Sequence, residues 1–172
     1  MDKEERRNTI LAMLKETNKP LTGKYLAEKL GVTRQIIVQD IALLRAENND
    51  IMSTARGYIF YDRKQHVNKR VITVCHGKDS IEDELTIIVD FGGRVLDVII
   101  EHPIYGEIIA SLMIESRRDI KEFMEIMKKN DTVPLLKLTS NIHMHTIEAK
   151  NEEILDEIEN ELRKKGYLIL EN

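Results

Sequence analysis

The sequence predicts an α+β chain in two parts, and three observations carry that reading. Residues 21–47 show a short helix, a glycine turn and a capped helix, followed by β-forming residues broken at Arg56-Gly57. Residues 71–170 read as strand-helix-strand-strand-helix-strand-helix, the order of an antiparallel or mixed sheet covered by helices. Between them the composition turns polar after Tyr61-Asp-Arg-Lys-Gln65, and His66-Val67-Asn68 reads as a linker. The expected domains are 1–65 and 66–172.

Glu4 to about Thr17 carries Ile10, Leu11 and Leu14 at helical spacing, with Pro20 beyond its end. A second helix spans about Gly23 to Leu30 and is expected to bury Tyr25, Leu26 and Leu30. Gly31 follows, where a left-handed turn costs little without a Cβ. Thr33 reads as the N-cap of a third helix to about Glu47, with Ile37, Ile41 and Leu44 along its buried stripe. Ile51 to Tyr61 completes the unit as a hairpin, or wing. The stretch from Leu21 to Phe60 resembles the winged helix-turn-helix of bacterial repressors, most closely the biotin-repressor-like type. The residues that carry it are Leu26-Ala27-Glu28-Lys29-Leu30-Gly31-Val32-Thr33-Arg34, Asp40-Ile41 with Leu44-Arg45, and Gly57-Tyr58.

In such a motif the start of the second helix enters the major groove. Thr33, Arg34 and Gln35 occupy that start and Gln39 lies one turn on. Arginine suits guanine edges, glutamine suits adenine edges, and threonine can bond a phosphate. Asp40 and Arg45 read as structural or backbone-positioning charges. The charge distribution agrees, weakly. Net charge is −4, but residues 1–65 hold 12 Lys+Arg against 9 Asp+Glu while the remainder holds 14 against 21. Only the front part is suited to a polyanion.

With 42% hydrophobic and 33% charged residues, the chain has enough apolar material for buried cores and reads as soluble. No apolar run reaches the ~18 residues of a membrane span, and Met1-Asp-Lys-Glu-Glu-Arg-Arg lacks a signal-peptide core. No membrane association is expected. A single cysteine excludes a disulfide framework, and a cytoplasmic location is expected.

In the rear part, Val71 to His76 is a strand with Ile72, Val74 and His76 on one face. Cys75, on the other face, reads as a buried thiol. Asp79 is expected to cap the next helix, with Glu82 completing a capping box, and Gly92-Gly93 ends it near Phe91. Ile81, Leu85 and Ile88 form its buried stripe, and Glu84 falls at the edge of that stripe. A buried carboxylate is costly unless paired or metal-bound, so Glu84 calls for a partner. Arg94–Glu101 and Glu107–Met113 are strands joined through His102-Pro103-Ile104-Tyr105-Gly106, and Asp119–Lys129 is a helix with Ile120, Phe123 and Met127 inward. Leu138–Ala149 contains another strand. Asn151 caps a last helix that buries Ile154, Leu155, Ile158 and Leu162 and closes at Gly166, before a short strand at Tyr167–Leu170.

His143 and His145 project from one face of their strand, because side chains there alternate with period two. Two imidazoles so placed suit a transition metal. The plainer alternative makes one a hydrogen-bonded core histidine and the other an exposed one. His102, before a proline, either lines a pocket or bonds its own turn.

Residues 69–168 resemble the 3H domain, the sensor half of niacin-responsive transcription repressors of Gram-positive bacteria and their relatives. The resemblance rests on Cys75-His76, Glu84-Leu85, Val89-Asp90 with Gly92-Gly93, Glu101-His102-Pro103 with Tyr105-Gly106-Glu107, and Leu138-Thr139 with His143, His145 and Thr146. It implies an HPr-like α+β sensor domain and a homodimer acting on operator DNA of NAD-synthesis and niacin-uptake genes. It also implies one divalent metal per chain on His76, Glu84, His143 and His145. That His₃Glu set suits Ni, Zn or Fe(II). Nicotinic acid, or else nicotinamide, is the implied effector and corepressor, with His102 or Tyr105 placed to contact its ring. Ser140-Asn141 departs from the resemblance, since many relatives have a glycine there. Two alternatives stay open: a metal-dependent hydrolase, and a structural metal in a DNA-binding protein without a small-molecule response.

Overall fold

The computed structural model describes residues 2–47, 49–61, 68–130 and 133–169, and the chain divides into two compact units, Met1–Gln65 and His66–Asn172. Of the expected linker, His66 and Val67 lie outside the described residues, and Asn68 already opens a strand.

The first unit begins with α1 (Lys3–Lys15), whose Glu5 amide donates to the Asp2 carboxylate at 2.8 Å. Helix α2 (Gly23–Leu30) is capped by Thr22 and stops at Gly31, where φ is +65°. Helix α3 (Arg34–Ala46) is capped by the Thr33 hydroxyl, which accepts from the Ile36 amide. Each cap satisfies an amide that has no partner inside its helix. Strands β1 (Ile51–Thr54) and β2 (Gly57–Phe60) form the antiparallel wing, and Leu21 and Tyr58 exchange two backbone hydrogen bonds of 2.8 Å that tie it to the start of α2. Ile10, Leu14, Leu26, Ile37, Ile41, Leu44 and Ile51 make the core. Asp40 is buried beside it and accepts from Arg6 at 2.6 and 3.2 Å, which fastens α1 to α3. Tyr25 departs from the sequence expectation: it lies at the surface with the Lys29 ammonium 5.8 Å from its ring.

The second unit is a four-stranded antiparallel sheet in the order β3-β6-β4-β5, formed by β3 (Asn68–Cys75), β4 (Arg94–His102), β5 (Gly106–Ile114) and β6 (Ile142–Ala149). Helices α4 (Ile81–Asp90), α5 (Arg117–Lys129) and α6 (Glu152–Lys164) supply Leu85, Ile88, Ile120, Leu155, Ile158 and Leu162 to a core shared with Ile72, Val74, Val95, Ile114 and Ile147 of the sheet. Val71, Cys75, Ile109 and Ile142 face the other way and are exposed. Cys75 is therefore an exposed thiol rather than a buried one.

Two local elements also differ from the sequence reading. Lys78–Ser80 forms a 3₁₀ turn ahead of α4, so Asp79 lies inside that turn, and no side chain caps α4. Leu135–Thr139 is likewise 3₁₀, and Ser140 and Asn141 take φ of +52° and +70° before β6 begins at Ile142. These are left-handed positions where a glycine would sit without strain. At the C-terminal end, Leu168 bridges to Val74, and the Ile169 amide donates to Thr73 at 2.9 Å.

Gly93 lets α4 turn closely back onto the sheet. A Cβ there would lie 2.6 Å from Ile158 Cδ1 and 2.9 Å from the Ile88 carbonyl oxygen. Gly93→Ala is expected to cost about 1–3 kcal/mol, as overpacking does. Urea unfolding should show a lower midpoint at unchanged slope; an unchanged midpoint would mean that the helix shifts freely.

Candidate metal centre

The β3–β6 register pairs Val74 with His143 and Ile72 with His145, so both histidines enter the face that the helices cover. His76 follows directly after β3, as the chain leaves the sheet. The 3₁₀ turn then starts α4 so that Glu84 falls in its first turn, where the helix dipole favours a negative charge. All four residues are buried, at 7, 1, 2 and 3% exposure for His76, Glu84, His143 and His145.

The rings converge on the carboxylate. His76 Nε2 is 2.7 Å and His143 Nε2 3.6 Å from Glu84 Oε2, while His145 Nε2 is 3.4 Å from Oε1. His143 meets His76 and His145 edge to face, at ring separations of 4.8 and 5.0 Å.

The far side of each ring is held by a backbone carbonyl. Nδ1 lies 3.0 Å from the Gly77 oxygen in His76, 3.1 Å from the Asn141 oxygen in His143, and 2.6 Å from the Asp97 oxygen in His145. A carbonyl can only accept, so each Nδ1 carries the proton and a neutral ring presents the Nε2 lone pair to Glu84. Three lone pairs facing a carboxylate repel it. Either protons on Nε2 or a cation must occupy the centre.

The ionisation behaviour follows. Burial, the largest influence, works against charge on His76, His145 and Glu84 alike. Glu84's hydrogen bond and charge outweigh burial at His76, as its charge and hydrogen bond do at His145, so both imidazoles titrate above their usual value. The His145 charge, with hydrogen bonding from the three rings, holds Glu84 well below the usual carboxylate range.

The donor set fits a divalent transition metal. His76, Glu84 and His143 each offer one ligand atom, all within 4.8 Å of one another, and the triad could hold a metal ion. Ligands about 2.0–2.1 Å from a tetrahedral ion lie about 3.3 Å apart. The 3.4 and 3.6 Å separations are close to that, whereas the 2.7 Å contact is a hydrogen bond that a cation would replace. Glu84 Oε1 is buried with no hydrogen bond of normal geometry, His145 Nε2 standing 3.4 Å away, and a cation would complete its surroundings.

Sequence reasoning missed the supporting groups. Asp97 sits at a β-bulge in β4, which frees its carbonyl for His145 and its carboxylate for the Thr146 amide at 2.8 Å. An aspartate inside the apolar run Val95-Leu96-Asp97-Val98-Ile99 was the available signal. Tyr167 stands 5.0 Å from the His76 ring and donates to Asp83. His102 does not join the triad: its Nδ1 accepts from the Ile104 and Tyr105 amides, and its ring stacks on Tyr105 at 5.0 Å in the β4–β5 turn, where Tyr105 is 75% exposed.

In the first unit, Thr33, Arg34, Gln35 and Gln39 are all exposed at the start of α3. Gln35 and Gln39 point outward, opposite Ile37, Ile41 and Leu44. Arg34 instead lies along Gly23 beside Tyr58, in a cleft that Thr22, Lys24 and Arg56 also line.

Comparison with known proteins bears on both units. A family model described as an HTH domain matches residues 6–59, and one described as the 3H domain matches residues 69–171. A probable transcription repressor NiaR of Thermotoga maritima is 43% identical over 169 residues, 98% of this chain and 96% of that protein. The transcription repressor NadR of Bacillus subtilis is 41% identical over 167 residues, 95% of this chain and 93% of that protein. An uncharacterized protein of Methanothermus fervidus is 35% identical over 101 residues, 55% of this chain and 16% of that protein.

The pH dependence of stability separates protons from metal at the centre. Glu84's contribution is complete above the usual glutamate value and lost as pH falls through its depressed one. The contributions of His76 and His145 are complete below the usual histidine value and lost as pH rises through their raised ones. Chelated protein is therefore expected to gain most from this cluster between about pH 4.5 and 6.5. Metal ligation needs deprotonated rings, so the zinc-dependent rise in Tm should grow from pH 6 to 8. A zinc increment that is flat with pH would contradict ligation by these rings.

Proposed function

This chain belongs to the 3H-domain transcription repressors of the NiaR and NadR type, and we propose that it is a metal-containing, niacin-responsive member whose corepressor is nicotinic acid. It is a DNA-binding regulator and not an enzyme. The observation that supports metal dependence is the set of three imidazoles, each held at Nδ1 by a carbonyl and aimed through Nε2 at one buried carboxylate.

In this reading His145 joins His76, Glu84 and His143 as the fourth ligand, with Ni or Zn the favoured ion and Fe(II) also suited to the set. A divalent ion there would keep one positive charge after Glu84 is counted, and so supply a Lewis-acidic anchor for a monocarboxylate. Glu84 and the rings fix its position, and their burial strengthens attraction for an anion. Tyr105 and His102, in the exposed β4–β5 turn, would contact the pyridine ring from outside the ligand set. A homodimer would present two α3 helices to half-sites about 34 Å apart in an operator of NAD-synthesis or niacin-uptake genes, in the cytoplasm. Gln35 and Gln39 would read base edges, with Thr33 and Arg34 nearer the backbone. When niacin is abundant, synthesis and uptake are unnecessary, so ligand binding should favour the DNA-bound state.

A second reading has a specific observation behind it. Burial of all four side chains equally suits a structural metal that fixes the fold and takes no ligand.

One titration decides between them. Metal-loaded protein should bind operator about 5–150-fold more tightly with nicotinic acid than without it, corresponding to about 1–3 kcal/mol of coupling. The double variant His143→Ala, His145→Ala should lose both stoichiometric metal and the niacin response. Equal affinity with and without nicotinic acid, in wild type that retains one metal, would establish the structural reading instead. Full metal retention in the double variant would overturn the ligand assignment.

A further inference from the structure

The outward face of α3 has a composition that helix propensity and solubility do not explain. Gln35, Val38, Gln39 and Ala42 are exposed along it, and Val38 is 46% exposed. Valine is a mediocre helix former, and its side chain gains nothing from water. The sole acidic residue of the helix, Asp40, is turned inward and held by Arg6. No carboxylate is left on the outward face to repel phosphates. The solvent faces of α5 and α6 differ, with Glu122 and Glu125 on one and Glu153 and Glu157 on the other.

Position within the helix matters as well. Val38 lies in the second turn, between the two outward glutamines in sequence and beyond the Thr33 cap. In a helix-turn-helix, the N-terminal turns of this helix approach base edges. The apolar group that the major groove displays is the 5-methyl of thymine. A branched apolar side chain with two amides to one side of it matches an A·T pair with its neighbours: methyl to methyl, and glutamine to the adenine edge. The small side chain of Ala42, one turn further on, leaves room for close approach. Leu43 is also exposed but lies in the third turn, further from the end of the helix that approaches the bases.

We propose that Val38 is a specificity-determining residue that reads a thymine methyl in each operator half-site. This rests on α3 being the reading helix, as set out above. Val38 is exposed and alanine is a better helix former, so Val38→Ala leaves the fold intact.

The test uses a duplex selected from a random-sequence pool by the full-length, zinc-loaded chain with nicotinic acid present. Each thymine is then replaced by deoxyuridine, which removes only the methyl group. Wild type is expected to lose about three- to tenfold in affinity when one symmetry-related pair of thymines is replaced. Val38→Ala should lose a similar amount on the unmodified duplex and become indifferent to that replacement. Gln35→Ala and Gln39→Ala serve as controls for the helix. If deoxyuridine has no effect on wild type, or has the same effect on Val38→Ala, while the glutamine variants alter base preference, the Val38 assignment is overturned and α3 remains the reader. If none of the three variants alters affinity or preference, the reading helix is wrong and the Val38 assignment falls with it.

Discussion

The second unit is organised around a carboxylate that has no stable place in a core by itself. Glu84 is 1% exposed, and the three rings around it can offer it either protons or a shared cation. Much of the local architecture serves that meeting. The 3₁₀ turn at Lys78–Ser80 sets where α4 begins, and so which of its turns holds the acid. The β-bulge near Asp97 releases a carbonyl for His145. The left-handed pair Ser140-Asn141 supplies a second, for His143. Gly77, next to His76, supplies the third.

These carbonyls convert three flexible rings into a preorganised donor set. An imidazole free at both nitrogens exchanges tautomers and rotates; one bonded at Nδ1 presents a single lone pair in a fixed direction. The charge balance follows the same logic. Without a cation, the cluster is stabilised by protons that become unavailable as pH rises. With one, deprotonation is what ligation requires. The DNA-binding unit shows the opposite treatment of an acid: Asp40 is paired with Arg6 inside the fold and so kept off the outward face of α3.

Much of this was legible in the sequence, for reasons that can be named. Period-two alternation put His143 and His145 on one strand face, and 100° geometry put Glu84 off the solvated side of its helix. The Gly31 turn and the Thr33 cap were readable because left-handed turns and orphan amides restrict residue choice. Backbone acceptors were not legible, since every residue has a carbonyl and its direction depends on turns and bulges. Cys75 was misread because alternation shows that a strand has two faces, not whether a layer covers both. That 138–149 contains a strand was legible, but not where the strand begins, because the apolar Leu138 and the β-branched Thr139 suit both a strand and the 3₁₀ turn that packs Leu136 inward. The packing of Arg34 beside Gly23 and Tyr58 was not legible, because it depends on how the wing folds back.

The central claim is that three rings are held as Nδ1–H tautomers so that Nε2 is left for a metal. Long-range proton–nitrogen NMR of the ¹⁵N-histidine-labelled, zinc-loaded protein tests it directly. The account predicts that His76, His143 and His145 each show a protonated Nδ1 and a metal-shifted Nε2, while His102, whose Nδ1 accepts from its own turn, shows the reverse tautomer and no metal shift. Nε2–H tautomers at any of the three, or zinc shifts absent from His145, would contradict it.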